Sequence, residues 1–558
     1  MEIFDVDVLV IGAGGAGLRA AIEAKKTGTE PIIVCKGGFP SGCTQHAMGA
    51  IQAAYDPGDS TDNHLKDTVI GGCFLNDQNL VKTMVDQSIR AVQDLEKFGT
   101  LFQKQDGKYK LITFGGYSYP RAVVSYEPYA GGFIKGLINE VRKLEIEVME
   151  RIMITRLLTN NGAVVGAMGL NVKTGDLVTF KAKSTILATG GAGHLYSLTT
   201  NPEDVTGDGY FMAYMAGAEL MDMEFIQSRA CIIHPPTLRG MPTPADGLVS
   251  IGGRFYNGLG ERYMKKYDPV KIEKVTRDLI AIFAYKEIKE GRGTPHGGIY
   301  NDLSGVSEDE LKRFHSFLAR CKNAGIDPSW QPIEWAPGVH HFMGGVRINE
   351  KAETTVLGLF ACGEVTAGVH GANRVAANAL TDTQVFGAIA GRSAAEKALV
   401  KTSPKICMKD VESERERIFR IYEREEGEDA KAIRALVQGI MSNYVGVIRR
   451  EDELRKALNE LERLSKRAQR IYIPDEKNYE ELGKTIETLN LINVGKMVTK
   501  AALMRTESRG AHYREDFPQR DDKNWLKNIT IRFYNGEMLL KTRPVNLVYV
   551  KLARQLQN

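Results

Sequence analysis

Val6-Asp7-Val8-Leu9-Val10-Ile11-Gly12-Ala13-Gly14-Gly15-Ala16-Gly17 is an apolar run that breaks into a GxGxxG turn. Leu18–Lys26 follows with helical spacing, and Ile32–Val34 is a second apolar run. Strand, glycine turn, helix and strand in that order define a βαβ unit of the doubly wound type. Gly12 permits the tight turn, Gly14 lets backbone approach a pyrophosphate, and Gly17 lets helix pack on strand. The helix N-terminus favours phosphate charge. The acidic residue expected at the end of the second strand is absent: that stretch reads Val34-Cys35-Lys36-Gly37. A plain NAD site is therefore disfavoured: either a ribose partner comes from elsewhere, or Lys36 faces a phosphate or a ring.

Further along, residues 150–189 hold β-rich runs, Val164–Leu170 and Ser184–Ala188 among them, ending in Ala188-Thr189-Gly190-Gly191-Ala192-Gly193. Leu359–Gly363 precedes a helix from about Thr381. The cofactor domain is thus expected from separated segments, with the chain after 235 inserted as a cap. Residues 409–470 are dense in Glu, Lys, Arg and Leu at helical spacing, and Ile529–Val550 partly alternates as a small β element.

The chain has 558 residues, room for two to four domains. Apolar content of 43% and charged content of 25% are ordinary for a globular protein. A net charge of +4, with basic residues dispersed, gives no case for nucleic acid. The seven cysteines form no CxxC pair, which argues against an intrinsic iron–sulfur cluster or a structural zinc, so no metal ligands are expected. Their scatter suits a reducing compartment. No export signal is read at the N-terminus and no apolar run reaches membrane-spanning length.

Gly363-Glu364 and His370-Gly371-Ala372-Asn373-Arg374 place one arginine among small residues. A flat ring can lie close to such backbone, and a guanidinium fork matches a carboxylate. The pair points to a flavin serving an anionic substrate.

Taken together, these motifs resemble the flavoprotein subunit of fumarate reductase and succinate dehydrogenase, a family that includes L-aspartate oxidase. The resemblance runs from the Gly12–Gly17 turn through Asp67–Gly72, Ala188–Gly193, Thr206–Gly209 and Asp222–Phe225. It continues in Thr276–Asp278, Met343–Gly345, Gly358–Glu364, His370–Arg374 and Glu507–Arg514. It implies an α/β fold: a Rossmann-like FAD-binding domain (1–235 and 346–400), an inserted α+β capping domain (236–345), a C-terminal helical bundle (401–525) and a small C-terminal β element (526–558). Asp208 and Glu364 would meet flavin hydroxyls. Gly12, Ala13, Gly14, Gly15, Ala16, Gly17, Lys36, Thr44, Gly49, Ala188, Thr189, Gly190, Arg374, Asn378 and Leu380 complete the expected cofactor set. Arg374 and His340, preferred over His341 by its spacing to Met343-Gly344-Gly345, would hold a dicarboxylate. Arg277 would donate the proton.

The sequence also departs from the family. Where many members carry a flavin-linked histidine in Ser-His-Thr, this chain reads Gly42-Cys43-Thr44. FAD is therefore expected to be non-covalent. The family's Gln-(Phe/Tyr)-His-Pro-Thr-Gly is replaced by Gln227-Ser228-Arg229-Ala230-Cys231-Ile232-Ile233-His234-Pro235. His234 is taken as the displaced histidine, Asp246 as the substitute for a relay glutamate, and Arg229 or Arg239 as stand-in for a relay arginine. The family's Ser-Asn-Ser becomes Ala377-Asn378-Ala379.

The expected activity is FAD-dependent reduction of fumarate to succinate, or the reverse, with an iron–sulfur subunit for electron partner. The expected location is cytoplasmic, reaching the inner face of the membrane only through partners. L-Aspartate oxidase is the alternative, disfavoured by the Arg509–Asp522 tail. A flavoprotein acting on a different unsaturated carboxylate, or one retaining only electron transfer, is the other.

Overall fold

The computed structural model describes residues 2–47, 49–126, 131–312, 314–475 and 477–552, with backbone alone at 246, 247 and 250. Its main sheet is built from β1 (Glu2–Ile11), β2 (Pro31–Cys35), β3 (Glu147–Glu150), β4 (Ile152–Asn160), β5 (Ala163–Asn171) and β6 (Leu177–Leu187). The order is β3-β2-β1-β6-β5-β4, and Leu359–Ala361 pairs with β6. β1 runs parallel to both β2 and β6, while β5 is antiparallel to β4 and β6. Val8, Leu9 and Val10 are fully buried. A parallel strand covered on both faces reads as a continuous apolar run rather than an alternating one, as the opening stretch does. Helix α1 (Gly15–Lys26) leaves this sheet at the glycine turn.

The chain then departs into a second, antiparallel sheet. Its strands are β7 (Ile226–His234), β8 (Arg254–Tyr256), β9 (Ile299–Asp302) and β10 (Ile333–Phe342), in the order β7-β10-β9-β8. Helix α2 (Arg277–Glu287) contributes Ile280 and Ala284 to the apolar cluster this sheet shares with Phe255 and Trp335. The sheet uses residues upstream of the boundary expected at 236. Its paired strands β7 and β10 are the way into and out of the insertion.

One irregularity governs where two consecutive histidines point. Gln227 pairs with His341 and Ser228 with Val339, so His340 is an extra residue on β10. A bulge of this kind re-aims side chains and interrupts their alternation between faces.

Helix α3 (Asn378–Leu399) returns to the main sheet and packs along α1. Beyond it stand α4 (Ala430–Tyr444), α5 (Glu451–Arg467) and α6 (Tyr479–Met504). In α5 the apolar stripe Leu454, Ala457, Leu461 and Leu464 is buried against an otherwise charged helix. The β element near the C-terminus is a hairpin, β11 (Lys527–Tyr534) and β12 (Glu537–Pro544). It does not stand alone: β11 pairs with Leu220–Met221, inside a five-stranded sheet. Among the described residues no helix is long and apolar enough to cross a membrane.

Candidate active site

One cavity of about 1680 Å³, counting its open mouth, runs from the Gly12–Ala16 turn to the strands of the inserted sheet. A compact small-molecule site is typically ~300–1,000 Å³, so this space suits an extended ligand plus a second, smaller one.

At the sheet end the wall is backbone. Gly12, Ala13, Gly14, Gly15 and Ala16 line it with Ala188, Thr189 and Gly190 from the end of β6. Gly12 has φ +116°, and a side-chain carbon on it would strike the Ala188 carbonyl. Gly17 does not line the cavity; a methyl group there would meet the Gly12 carbonyl oxygen and lie 3.3 Å from the Ala188 Cβ. Helix α1 has Gly14 at its N-cap, no capping side chain and no acidic residue in its first turn. Among the described residues Thr44 reaches in, its Oγ1 accepting from the Gly15 N–H at 3.1 Å. An uncapped helix start against open space is an anion site suited to a pyrophosphate. Helix α3 begins the same way: Ala377, at φ +63°, caps it without a side-chain hydrogen bond, and Ala376, Ala377, Ala379 and Leu380 line the cavity.

The polar groups at this end are mostly pre-engaged. Lys36 lines the cavity and is engaged there by protein groups. Its Nζ pairs with Asp208 at 2.6 Å and Glu487 at 2.7 Å and donates to Thr206 Oγ1 at 2.5 Å, and those carboxylates push its pKa up although burial opposes the charge. Asp208 also accepts from Asn490 at 2.8 Å; burial works against its ionisation, but Lys36 and these donors hold its pKa below the usual carboxylate range. The network welds β2, the helix Asp208–Met215 and α6 around the cavity.

Glu364 differs. Burial raises it to about 7, against one backbone donor, Phe342 N–H at 3.0 Å. A buried carboxyl with spare acceptor capacity fits a hydroxyl-bearing ligand. Thr189 Oγ1 and His341 Nε2 are likewise cavity-lining and buried without a hydrogen-bond partner. Gly49 and Cys43 complete this wall. Burial, with Glu364 and Asp204 nearby, keeps the Cys43 thiol protonated. Backbone turn, two helix starts and orphaned acceptors together fit FAD.

At the opposite end the wall is side chains. Arg229, Arg277, His340, His341 and Arg374 all line the cavity. The bulge explains how the consecutive residues His340 and His341 both do so. His340 Nδ1 lies 2.7 Å from Thr200 Oγ1. Burial holds its imidazole far below the usual range, reinforced by Arg229, Arg374 and Arg277 in that order. Arg374 is 5% exposed and donates to Gln227 Oε1 at 2.9 Å. Gln227 Nε2 returns to the Arg374 carbonyl and to Asn373 Oδ1, and Asn373 donates to Asp278. The His370–Arg374 segment is thereby tied to β7 and α2 at once. Arg277 is the first residue of α2.

Several sequence expectations shift. His234 is not in the cavity wall; its ring stacks on His296 at 3.9 Å. Arg229 stands two residues after Gln227 on β7 and lines the cavity. Arg229 is 5% exposed, whereas Arg239 is exposed on the surface. Asn378 turns away from the cavity to His64 Nε2 and Thr68 Oγ1, at 2.8 and 2.9 Å. The Asp246 side chain lies outside the described residues, its backbone in the short helix Ala245–Leu248. Alternation along β7 after a fixed Gln227 is the sequence signal that leads to Arg229.

Fold and cavity define an FAD-dependent oxidoreductase. Residues 7–380 match the FAD binding domain family, and residues 434–556 match the fumarate reductase flavoprotein C-terminal family. A fumarate reductase (CoM/CoB) subunit of Methanothermobacter marburgensis is 40% identical over 95% of this chain and 97% of its own length. The L-aspartate oxidase of Streptomyces coelicolor is 33% identical over 94% and 91%. The solved E. coli quinol fumarate reductase flavoprotein superposes with a TM-score of 0.93 at 30% identity, covering 99% of both chains. The chain belongs to the fumarate reductase and succinate dehydrogenase flavoprotein family.

Proposed function

We propose that this chain is the catalytic subunit of a fumarate reductase, converting fumarate to succinate with electrons from a separate iron–sulfur subunit. The observation that carries the reading is the convergence of Arg229, Arg277, Arg374 and His340 on one end of a dinucleotide-sized cavity. Gly12–Ala16, Thr44, Ala188–Gly190, Glu364 and the start of α3 would hold FAD without a covalent bond. Bound there, FAD supplies hydride transfer to one alkene carbon.

The chain's own residues do the rest. Arg374, fixed by Gln227, takes a substrate carboxylate, and neutral His340 donates a hydrogen bond to it. Arg277 gives a proton to the second alkene carbon, so two electrons and two protons complete succinate. A guanidinium is normally too weak an acid for this. Two features make donation easier: the positive end of the α2 dipole and the neighbouring guanidiniums both disfavour its charged form. The domain division also belongs to this proposal, with 226–342 closing over 1–225 and 343–400. The relative named for CoM and CoB supports a thiol pair as the electron source.

Reduced viologen dye with the purified protein tests the reading. Dye oxidation that depends on fumarate is expected; oxidation indifferent to fumarate refutes it. Ammonia and oxaloacetate formed from aspartate would favour the oxidase instead.

A further inference from the structure

We infer that Asn373 and Asp278 are positioning residues, whose hydrogen bond sets the start of α2, and with it Arg277, at a fixed place relative to Arg374. The inference rests on the fumarate-type reading of the site.

A directed chain of hydrogen bonds joins the two segments. Arg374 Nη2 donates to Gln227 Oε1 at 2.9 Å, Gln227 Nε2 donates to Asn373 Oδ1 at 2.7 Å, and Asn373 Nδ2 donates to Asp278 Oδ1 at 2.9 Å. A guanidinium only donates, and the carboxylate at the other end accepts. Both amides are therefore held in one orientation, since flipping either would set donor against donor. The segment that carries Asn373 is itself fixed to the body. The Ala372 N–H donates to the Gly72 carbonyl at 2.9 Å, and the Ala511 N–H to the Ala372 carbonyl at 3.0 Å. Asn373 is 6% exposed and Gln227 is fully buried, so bulk water does not compete for these amides.

Behind the start of α2 lies space. Arg277 lines the main cavity, whereas Asp278, the next residue, lines a second one of about 960 Å³, counting its open mouth. Ser228 and Val339 face that second cavity too, while their neighbours Arg229 and His340 face the first. Consecutive residues thus look into opposite cavities across one thin wall. In a close-packed interior, neighbouring side chains fix where an element lies. A helix start with open space on two sides depends more on its polar ties. At the far end of α2, Lys286 Nζ reaches the Tyr513 hydroxyl at 3.3 Å. The Asp278 bond holds the end that carries Arg277. Misplacing a reacting group by ~1 Å costs on the order of 10²-fold in rate. The hold on Arg374 is separable from this, because Gln227 accepts from Arg374 Nη2 and donates to the Arg374 carbonyl without Asn373.

The experiment uses the complete enzyme complex with Asn373→Ala, Asp278→Ala, the two combined, and the exchange of Asn373→Asp with Asp278→Asn. Kinetics with fumarate give kcat and KM, calorimetry with malonate, a non-reacting dicarboxylate, reports on the Arg374 end, and flavin content reports folding. Each alanine variant should lower kcat by roughly 10- to 100-fold. KM and malonate affinity should stay within about threefold of native, the pattern of a contact that acts in the transition state. The combined variant should be no slower than the slower single one, because both remove the same bond. Asn373→Asp alone should lose turnover likewise, since two carboxyls then face each other. Adding Asp278→Asn should recover most of it by reversing the direction of the bond. Should an alanine variant lose flavin, the exchange carries the comparison. With a native enzyme that reduces fumarate, native kcat in a flavin-replete single variant, losses that multiply in the combined variant, or no recovery in the exchange overturns the inference alone. A native enzyme that does not reduce fumarate removes the underlying reading, and the inference falls with it.

Discussion

The two ends of the cavity are built on opposite principles. The Gly12–Ala16 end is mostly backbone: glycines leave room, helix starts provide donors, and its charged groups are paired with one another, as in Lys36, Asp208 and Glu487. The end beneath β7 and β10 is side chain: like charges gathered around a neutral imidazole, with small residues only at the margin. The first end is complete before a ligand arrives apart from a few acceptors. The second brings three guanidiniums to the wall of one open space, where an anion can be held. A cofactor held for many turnovers suits the first design, and a substrate that must enter and leave suits the second.

The largest expected effect falls at the cationic end. Arg277→Lys keeps the charge but moves the donor atom and loses the planar fork. Turnover should fall by about 10²–10⁴-fold, the usual worth of a positioned general acid. Flavin content should stay native, since nothing in the Gly12–Ala16 wall is touched. Near-native turnover would remove Arg277 as the donor and blur the distinction between the two ends.

Next is Glu364, held by one backbone donor and lying 3.6 Å from His341 Nδ1. Its folded pKa of about 7 lies above the ordinary 4.5, so the folded apoprotein keeps a proton that the unfolded chain releases between those values. Stability contributed by this group is therefore present below 4.5 and lost as pH rises to about 7, by up to about 3 kcal/mol. His64 acts in the other direction. Its folded pKa of about 4, set by burial, lowers stability as pH falls from 6.5. The comparison that isolates Glu364 is Glu364→Gln against native apoprotein, in which the histidine contributions cancel. Thermal melts should show the variant gaining on the native protein as pH rises from 4.5 to 7. A constant difference would mean that Glu364 is ionised in the apoprotein.

What is legible in the sequence obeys the same division. Backbone sites need particular residues at fixed spacing, so Gly12–Gly17, Ala188–Gly190 and Glu364 can be read from type and order alone, and all line or support the cavity. Side-chain sites depend on register. His340 reaches the cavity through a bulge set by pairing between residues more than a hundred positions apart, which no local pattern records. Matching a motif by residue type favours His234 and leaves Arg229 a relay substitute; counting alternation from Gln227 gives Arg229. Lys36 does line the cavity, but its partners, Asp208 and Glu487, are too distant in sequence to be read beforehand. The βαβ start and the helical segment are readable from periodicity. The C-terminal hairpin's place in a five-stranded sheet is not, since Leu220–Met221 is too short to announce a strand.

A smaller effect tests the backbone end. In Gly17→Ala the added methyl meets the Gly12 carbonyl, and no rotamer can relieve a clash with backbone. Overpacking of this kind costs about 1–3 kcal/mol. FAD affinity should weaken accordingly, measured by flavin retention on dilution, while the variant once saturated with FAD keeps a native fumarate KM. A raised KM at saturation would show the two ends to be coupled rather than separately built.

The smallest effect belongs to His234, and it decides which residue of β7 faces the substrate. Its ring lies against His296, which is half exposed and bonded through Nδ1 to Glu334 at 2.7 Å. Removing the ring frees one face of His296 and leaves the His296–Glu334 contact in place. His234→Ala should therefore change turnover and fumarate KM by no more than about twofold, within the range of substitutions away from buried networks. Arg229 and His234 cannot both be the residue that succeeds Gln227 into the pocket, because five strand positions, about 16 Å of extended chain, separate them. A loss at His234 comparable to that of Arg277→Lys would mean that β7 slides in the substrate complex, bringing His234 to the cavity and carrying Arg229 out of it.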